Sequence, residues 1–579
     1  MKICFVVVVN PEIEKSQMFG IRYMPVWAYT LTSYLRDNNK FEISLHDTRI
    51  KSEKKIPKAD IYFYSALNQD IMANIAIANK LRSRFPESLH AIGGPATFSL
   101  FQTQRLNELK SFDGIYIGDG EKEISTFITQ LCDKSRSRQL IYKCSQRFKL
   151  ADARELDFAL LSQSYQDYYG GVIEVSRGCP FLCEFCDIRT LPDNNRAHNK
   201  SITSILADLQ NFHKLGITNI LFACDNFIGD PNWANELIDA ILKFQNETGF
   251  RPVFYTWLTI NISTNTKLME KMKRCGFDMF FIGVESFSES QLLETAKIQN
   301  TKLSIEKSIR TIHSYGIIVV AGLIFGFDTD EDNVIDVALK GITDSGLISG
   351  DPTLLTALAG TPLYRRMELA GRLRPGKVAL GGHKYSTNIR YLREKNRIIS
   401  DYIRFAQTFN SPIFQYKRFE SFLNCFDSKA TNRKNYRGSY INLSKLFRLI
   451  FKNPRAIYFA TQRFARFFVS LPRLGAIFSA AFLMFKKPNS NWSHFYFWLF
   501  NWSNSVVKYD RISTKDFDIE SIETAIVQHH ILPERYADEI FEPIPLAKIK
   551  AQRKITLAAL SEFIQSKKIP RTNNESTSL

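Results

Sequence analysis

Strand-like and helix-like segments alternate in two long runs along this chain, and a chain that alternates in this way has few folds open to it. In the first run, residues 2–9 (KICFVVVV), 41–46 (FEISLH), 60–65 (DIYFYS), 90–92 and 113–117 read as strands, with helices over 29–37 and 71–84. This pattern predicts an α/β domain built on a doubly wound parallel sheet. Ligands on such sheets sit beyond the carboxyl ends of the strands. Two glycine turns fall at those ends, Gly93-Gly94-Pro95 and Gly118-Asp119-Gly120-Glu121. A residue without Cβ there lets backbone approach a ligand closely, although either motif alone also reads as a plain tight turn.

The second run places strands at 172–175, 217–224, 253–260, 279–284, 317–325 and 353–358. Helices alternate with them at 201–215, 231–245, 265–275, 289–296, 302–315 and 331–346. Six βα units fill about 190 residues, fewer than the ~250 of a closed eight-unit barrel.

Directly after the first of these strands stands Cys179-x-x-x-Cys183-x-x-Cys186. Three soft thiolates on one short loop can hold three irons of a cubane cluster, leaving the fourth iron open to chelate a substrate or cosubstrate. A zinc site normally wants a fourth Cys or His, and the nearest histidine is His198, in a polar loop. Nine cysteines are too few for a disulfide scaffold in 579 residues, so the compartment is expected to be reducing and cytoplasmic. Cys4, Cys132, Cys144, Cys224, Cys275 and Cys425 read as core thiols.

With an aromatic, Phe185, just before its last cysteine, the motif resembles the signature of the radical S-adenosylmethionine superfamily. The resemblance implies an open (βα)6 partial TIM barrel, a 4Fe-4S cluster on Cys179, Cys183 and Cys186, and S-adenosylmethionine as cosubstrate. Gly322-Leu323-Ile324-Phe325-Gly326 is similar to the family's adenine-packing element, which carries Gly322, Ile324 and Gly326 over. Glu285 and Ser286 match a strand end that meets the cosubstrate's ribose or amino acid part. Cys224-Asp225-Asn226-Phe227 matches a relative's Asp-Asp-x-Phe with only Asp225 retained.

The N-terminal sheet, with Gly93, Gly94, Pro95, Gly118, Gly120 and Glu121 at its strand ends, resembles the cobalamin-binding branch, closest to its hopanoid-methylase-like group. That resemblance implies methyl transfer to an unactivated carbon of an apolar, lipid-like substrate, with an external electron donor of flavodoxin or ferredoxin type. Ring closure, rearrangement or oxidation with the same cofactors is the alternative, and an iron-sulfur protein with an empty N-terminal interaction domain is a second. No Asp-x-His-x-x-Gly occurs, so no histidine is offered to cobalt by motif, and His46 is expected to pack.

Of the net charge of +18, 14 units lie between Asp427 and Asp510, where no acidic residue occurs. Leu443, Leu446, Phe447, Ile450 and Phe451 repeat at helical spacing there, and Leu474 to Phe485 are apolar. A packed helical subdomain and an amphipathic dock on an anionic membrane both fit this pattern. Nucleic acid fits less well, because the aromatics follow helical stripes. The expected organisation is residues 1–135 as the cobalamin-binding-like domain, 136–170 as linker and 171–375 as radical SAM barrel. Residues 376–566 follow as a mainly helical basic and aromatic region, and 567–579 as a disordered tail. The expected location is the cytoplasm, with peripheral contact at the inner face of the membrane.

Overall fold

The computed structural model describes residues 1–10, 22–36, 40–133, 135, 138–191, 193–374, 385–426, 443–452, 454–487, 491–509, 512–517, and 551, 554, 555 and 558. The boundary expected at 375/376, the basic residues of 427–442 and the tail at 567–579 lie outside these.

The N-terminal sheet consists of β1 (Lys2–Val7), β2 (Glu42–Asp47), β3 (Ile61–Ser65), β4 (Leu89–Gly93), β5 (Gly114–Ile117) and β6 (Leu140–Lys143), in the order β2-β1-β3-β4-β5-β6. Every neighbouring pair is parallel. Helices α1 (Val26–Leu35), α2 (Ile71–Arg84), α3 (Pro95–Gln102) and α4 (Ile124–Leu131) cover it, with a separate apolar core on each face. The order reverses beside β1 and β3, as the doubly wound reading requires. β6 lies within the stretch expected as a linker, so the sheet runs past residue 135. Only four residues long, with alternate side chains exposed at the sheet edge, it carries little of the apolar signal that marks the inner strands. Cys132, expected in the core, is exposed at the end of α4, whereas Cys4, Cys144, Cys275 and Cys425 are buried.

The second sheet runs β7 (Gly171–Glu174), then β10 (Asn219–Ala223), β11 (Val253–Trp257), β12 (Phe277–Glu285), β13 (Ile318–Phe325) and β14 (Ser349–Leu354), side by side in chain order and all parallel. Its outer strands β7 and β14 do not pair, which leaves the barrel open. The intervening β8 (Ser176–Arg177) and β9 (His198–Asn199) form an antiparallel ribbon that closes the base of the cysteine loop. Helices α5 (Ile202–Leu215), α6 (Pro231–Thr248), α7 (Thr266–Cys275), α8 (Glu289–Glu294), α9 (Ile305–Ser314) and α10 (Val334–Ser345) pack outside. β14 begins four residues before the expected position. Its Gly350-Asp351-Pro352 resembles a turn, and proline is tolerated because this strand is an edge.

Beyond the barrel come α11 (Pro362–Leu369), α12 (Lys395–Asn410), α13 (Pro412–Leu423), α14 (Leu443–Lys452), α15 (Pro454–Phe468), α16 (Leu471–Lys486) and α17 (Trp492–Tyr509). Phe419, Phe422, Phe467, Trp498 and Trp502 form one core with Val253, Met279, Ile318 and Ile348, residues at or near the amino ends of β11 to β14. The last helices therefore plug the base of the barrel, opposite the cysteine loop.

Candidate functional site

The carboxyl ends of both sheets face one cavity of about 320 Å³. Gly93, Gly94 and Pro95 after β4 and Gly118, Gly120 and Glu121 after β5 line one wall, while Glu174, Arg177 and Asp225 line the barrel side. Trp27, Tyr64, Phe98 and Tyr116 add flat apolar surface. At Gly118, φ is +107°, and a Cβ would stand 2.1 Å from the Cys144 Sγ, so the turn admits only glycine. Among the described residues, no histidine lines this cavity. His46 is buried with Nε2 3.1 Å from the Ser52 carbonyl, and the His90 Nδ1 lies 3.0 Å from the Tyr64 hydroxyl.

The turn acids point at the barrel. Arg177 donates from Nη1 to Asp119 at 3.0 Å, from Nε to Glu174 at 2.8 Å, and from Nη2 to Glu121. Arg147 adds a second contact to Asp119 at 3.2 Å. Burial raises the pKa of Glu121, and Arg177 partly offsets it. Asp225 accepts from the Gly178 amide at 2.6 Å, and burial pushes its pKa up to about 6 despite that bond. The backbone entering the cysteine loop is thus gripped from both domains.

Within the loop, the Cys179 amide donates to the Asn194 carbonyl at 2.9 Å, and Gln299 Nε2 reaches the Cys183 Sγ at 3.4 Å. Burial raises Cys179 to about 11 and lifts Cys186 well above the ordinary thiol value, with neighbouring thiols adding to both. A cationic centre would reverse this, since buried neutral thiols become thiolates when metal binds. No three His, Cys, Asp or Glu side chains among the described residues converge as they would on one ion. A cubane makes no such demand, because each thiolate takes a different iron, and the donor set fits that group. Phe185 packs at the edge of the barrel core, 5.6 Å below Lys297 Nζ.

On β13 the burial alternates with period two, and Val320, Gly322 and Ile324 keep partial exposure on the side shared with Phe281 and Gly283 of β12. Gly283 and Gly322 are cross-strand partners. Glu285 takes φ of +64° at the end of β12 and accepts from Lys297 Nζ at 2.7 Å. Burial opposes the Lys297 charge, but Glu285 and then Cys183 outweigh it and hold the pKa above the usual lysine value. No sequence motif marks Lys297, which lies twelve residues after Glu285. A buried cation and anion side by side, next to the cysteine loop, can receive the carboxylate and hydroxyl or amino groups of a zwitterionic ligand. Ser286 is engaged in its own turn, bonding Gln291 and accepting from the Ser288 amide. Gly326, at φ of +94°, would put a Cβ 2.8 Å from the buried Tyr391 ring, so packing against Tyr391 accounts for its lack of a side chain. Cys224 lies 3.3 Å from the Thr256 hydroxyl at the end of β10, with burial raising its thiol to about 12.

Residues 173–340 match the radical SAM superfamily, and residues 361–481 match a domain of unknown function, DUF4070. Hopanoid C-2 methylase of Rhodopseudomonas palustris is 31% identical over 286 residues, covering 49% of this chain and 53% of that protein. An uncharacterized methyltransferase of Synechocystis is 26% identical over 355 residues, covering 60% of this chain and 63% of its own length. The chain thus spans between about half and two thirds of these curated relatives. The cobalamin-dependent S-adenosylmethionine radical enzyme OxsB, solved with aqua-cobalamin bound, shares the fold with a TM-score of 0.55 at 15% identity, covering 99% of this chain and 82% of that one. Residues 173–340, with the cysteine loop they contain, are a radical S-adenosylmethionine domain, and the chain around them is similar to hopanoid C-2 methylase and shares its fold with a cobalamin-dependent radical enzyme.

Proposed function

We propose that this chain is a cobalamin-dependent radical S-adenosylmethionine methyltransferase acting on an unactivated carbon of an apolar, lipid-like substrate. The observation that carries this reading is the single cavity shared by the glycine turns of one sheet and the cysteine-loop approach of the other. Cys179, Cys183 and Cys186 would hold a 4Fe-4S cluster, and Glu285, Lys297, Gly322 and Ile324 would seat S-adenosylmethionine. Cobalamin would lie along Gly93, Gly94, Pro95, Gly118 and Gly120, in a cavity whose described lining holds no histidine. When bound, these groups supply radical generation and methyl carriage. The protein orients them, and its buried Glu121 with the partly buried Arg177 and Asp119 closes the wall between the two sites. The radical chemistry draws electrons from an external donor of flavodoxin or ferredoxin type.

Membrane contact belongs to the same proposal. No helix among the described residues is long and apolar enough to cross a membrane. On α16, Ala480 and Met484 face the core, while Leu471, Phe478, Phe482 and Phe485, spaced along the opposite face, are more than half exposed. Lys486 stands 4.5 Å over the Phe482 ring. An apolar face flanked by cations suits an anionic headgroup layer. The helix that carries it packs at the base of the barrel, away from the cysteine loop.

The test is anaerobic reconstitution with cobalamin and methyl-labelled S-adenosylmethionine, offered lipid extract from a strain lacking the gene. A product heavier by one labelled methyl group is expected. A product without added carbon would favour ring closure, rearrangement or oxidation, and failure to retain cobalamin would remove the reading.

A further inference from the structure

The helix that opens the 361–481 region carries an ion pair into the middle of the cysteine loop. Arg366 of α11 donates from Nε to Glu184 Oε1 at 2.9 Å and from Nη2 to Oε2 at 3.0 Å. Glu184 is the residue after Cys183 and two before Cys186. Its backbone is held as well, since its amide donates to the Thr295 carbonyl at 2.9 Å and its carbonyl accepts from the Leu363 amide at 3.1 Å. Arg366 and Glu184 are 2% and 1% exposed, so solvent screens little of the interaction. Behind the pair, Arg366 Nη1 lies 3.4 Å from Asp328, and Arg372 binds Asp328 through both Nη atoms at 2.6 and 2.8 Å. The Glu294 carboxylate lies 3.7 Å from Arg366 Nη2 and accepts from the Asp328 and Thr329 amides.

A buried ion pair is weak evidence for stability, because desolvation consumes much of its Coulomb gain. Its position makes it informative. A bidentate guanidinium fixes both the direction and the distance of its carboxylate, and here that carboxylate sits on the peptide linking two cysteines of the motif. A buried charge pair is then anchored on the peptide between two of the thiolates, and charge and hydrogen bonding around a cluster contribute to its potential. We propose that Arg366 is a positioning residue that sets the shape of the cysteine loop and, with Glu184, the reduction potential of the cluster. The first helix of the domain of unknown function thereby acquires a role at the iron-sulfur site. This inference rests on the reading of Cys179, Cys183 and Cys186 as cluster ligands.

The test uses the full chain, anaerobically reconstituted, with iron and sulfide counted before potentiometric titration followed by electron paramagnetic resonance. Glu184→Gln removes the negative charge and should shift the midpoint potential upward. Arg366→Met removes the positive charge and should shift it downward, and the double variant should return close to the wild-type value. Arg366→Lys keeps the charge but loses the fork, so its potential should stay near wild type while its resonance broadens. Should Arg366→Met fail to fold, Glu184→Gln and Arg366→Lys decide the question. An unchanged potential in Glu184→Gln, or shifts of the same sign in both single variants, overturns the proposal while the cluster reading stands. A wild-type chain that takes up no four-iron cluster overturns both.

Discussion

The two ends of the barrel are held together by opposite means. At the mouth, charges interlock: the partly buried Arg177 with Asp119, Glu121 and Glu174, and the fully buried Arg366 with Glu184. At the base, aromatic rings do the packing, with Trp498 stacked on Phe419 at 4.7 Å and Phe467 edge-on to Trp502 at 5.0 Å. Aromatic burial removes much apolar area from water with soft preferences among stacked and edge-on geometries, whereas bidentate charge pairs fix orientation closely at little net gain in stability. The base therefore supplies cohesion, and the mouth supplies placement.

The sharpest break in this contrast comes at the cysteines. Replacing Cys179, Cys183 and Cys186 together with Ala should abolish the brown absorption and remove about four irons per chain, because no other thiols share that loop. The base should not notice, and the far-ultraviolet dichroism of the metal-free chain should stay as it is. Iron retained at wild-type stoichiometry would falsify the ligand assignment.

Trp498→Ala should do the reverse. The ring is fully buried and its Nε1 donates to Gln415 Oε1 at 3.1 Å, so truncation should cost about 3–5 kcal/mol, seen in chemical denaturation. Reconstituted iron per folded chain should be unchanged. Loss of iron at temperatures where the variant stays folded would mean that base and mouth are coupled after all.

Asp225 offers a smaller effect with a sign. Its folded pKa is raised from 3.8 to about 6, chiefly by burial, so the folded chain binds this proton more tightly than the unfolded one. Stability tied to that proton is complete below the unfolded value and is lost as pH rises through about 6. In the metal-free chain, Asp225→Asn should therefore gain up to ~3 kcal/mol over wild type at pH 8, keeping an oxygen for the Gly178 amide. The gain should shrink toward pH 4. An equal gain at both pH values would show that the carboxylate is not strained by burial.

Local signals carried most of this architecture. Helix α2 falls at 71–84 as its periodicity predicts, and the glycine turns stand where strands of the first sheet end. Pattern reading failed where the determinant was distant in the chain. Arg366 meets Glu184 across 182 residues, and in sequence it is one of two adjacent arginines in an amphipathic helix. Lys297 follows a short helix, in the form of a surface lysine, and only the fold brings it to Glu285. Gly326 also packs against Tyr391, 65 positions on, a neighbour that no local pattern names. The basic region mixed two signals that sequence could not separate. Trp498 and Trp502 turn inward, while Phe478 and Phe482 turn outward, although all four lie on apolar helical stretches.

That outward face sets the smallest change in stability and completes the contrast between the ends. Phe478 and Phe482 are 71% and 59% exposed on successive turns of α16, so Phe478→Ser with Phe482→Ser should leave folding stability within about 0.5 kcal/mol per site. A face that lies outside the core and exposes aromatic rings beside cations is a candidate contact surface. If its partner is an anionic bilayer, cosedimentation with anionic vesicles at low salt should fall about tenfold in the double variant, while neutral vesicles bind neither form. Charge alone would predict otherwise, because the substitutions leave every Lys and Arg in place and each would still contribute ~1 kcal/mol near the surface. Binding that survives the serines but disappears in high salt would assign the contact to the cations, and wild-type protein that ignores anionic vesicles would return the aromatic face to some other partner.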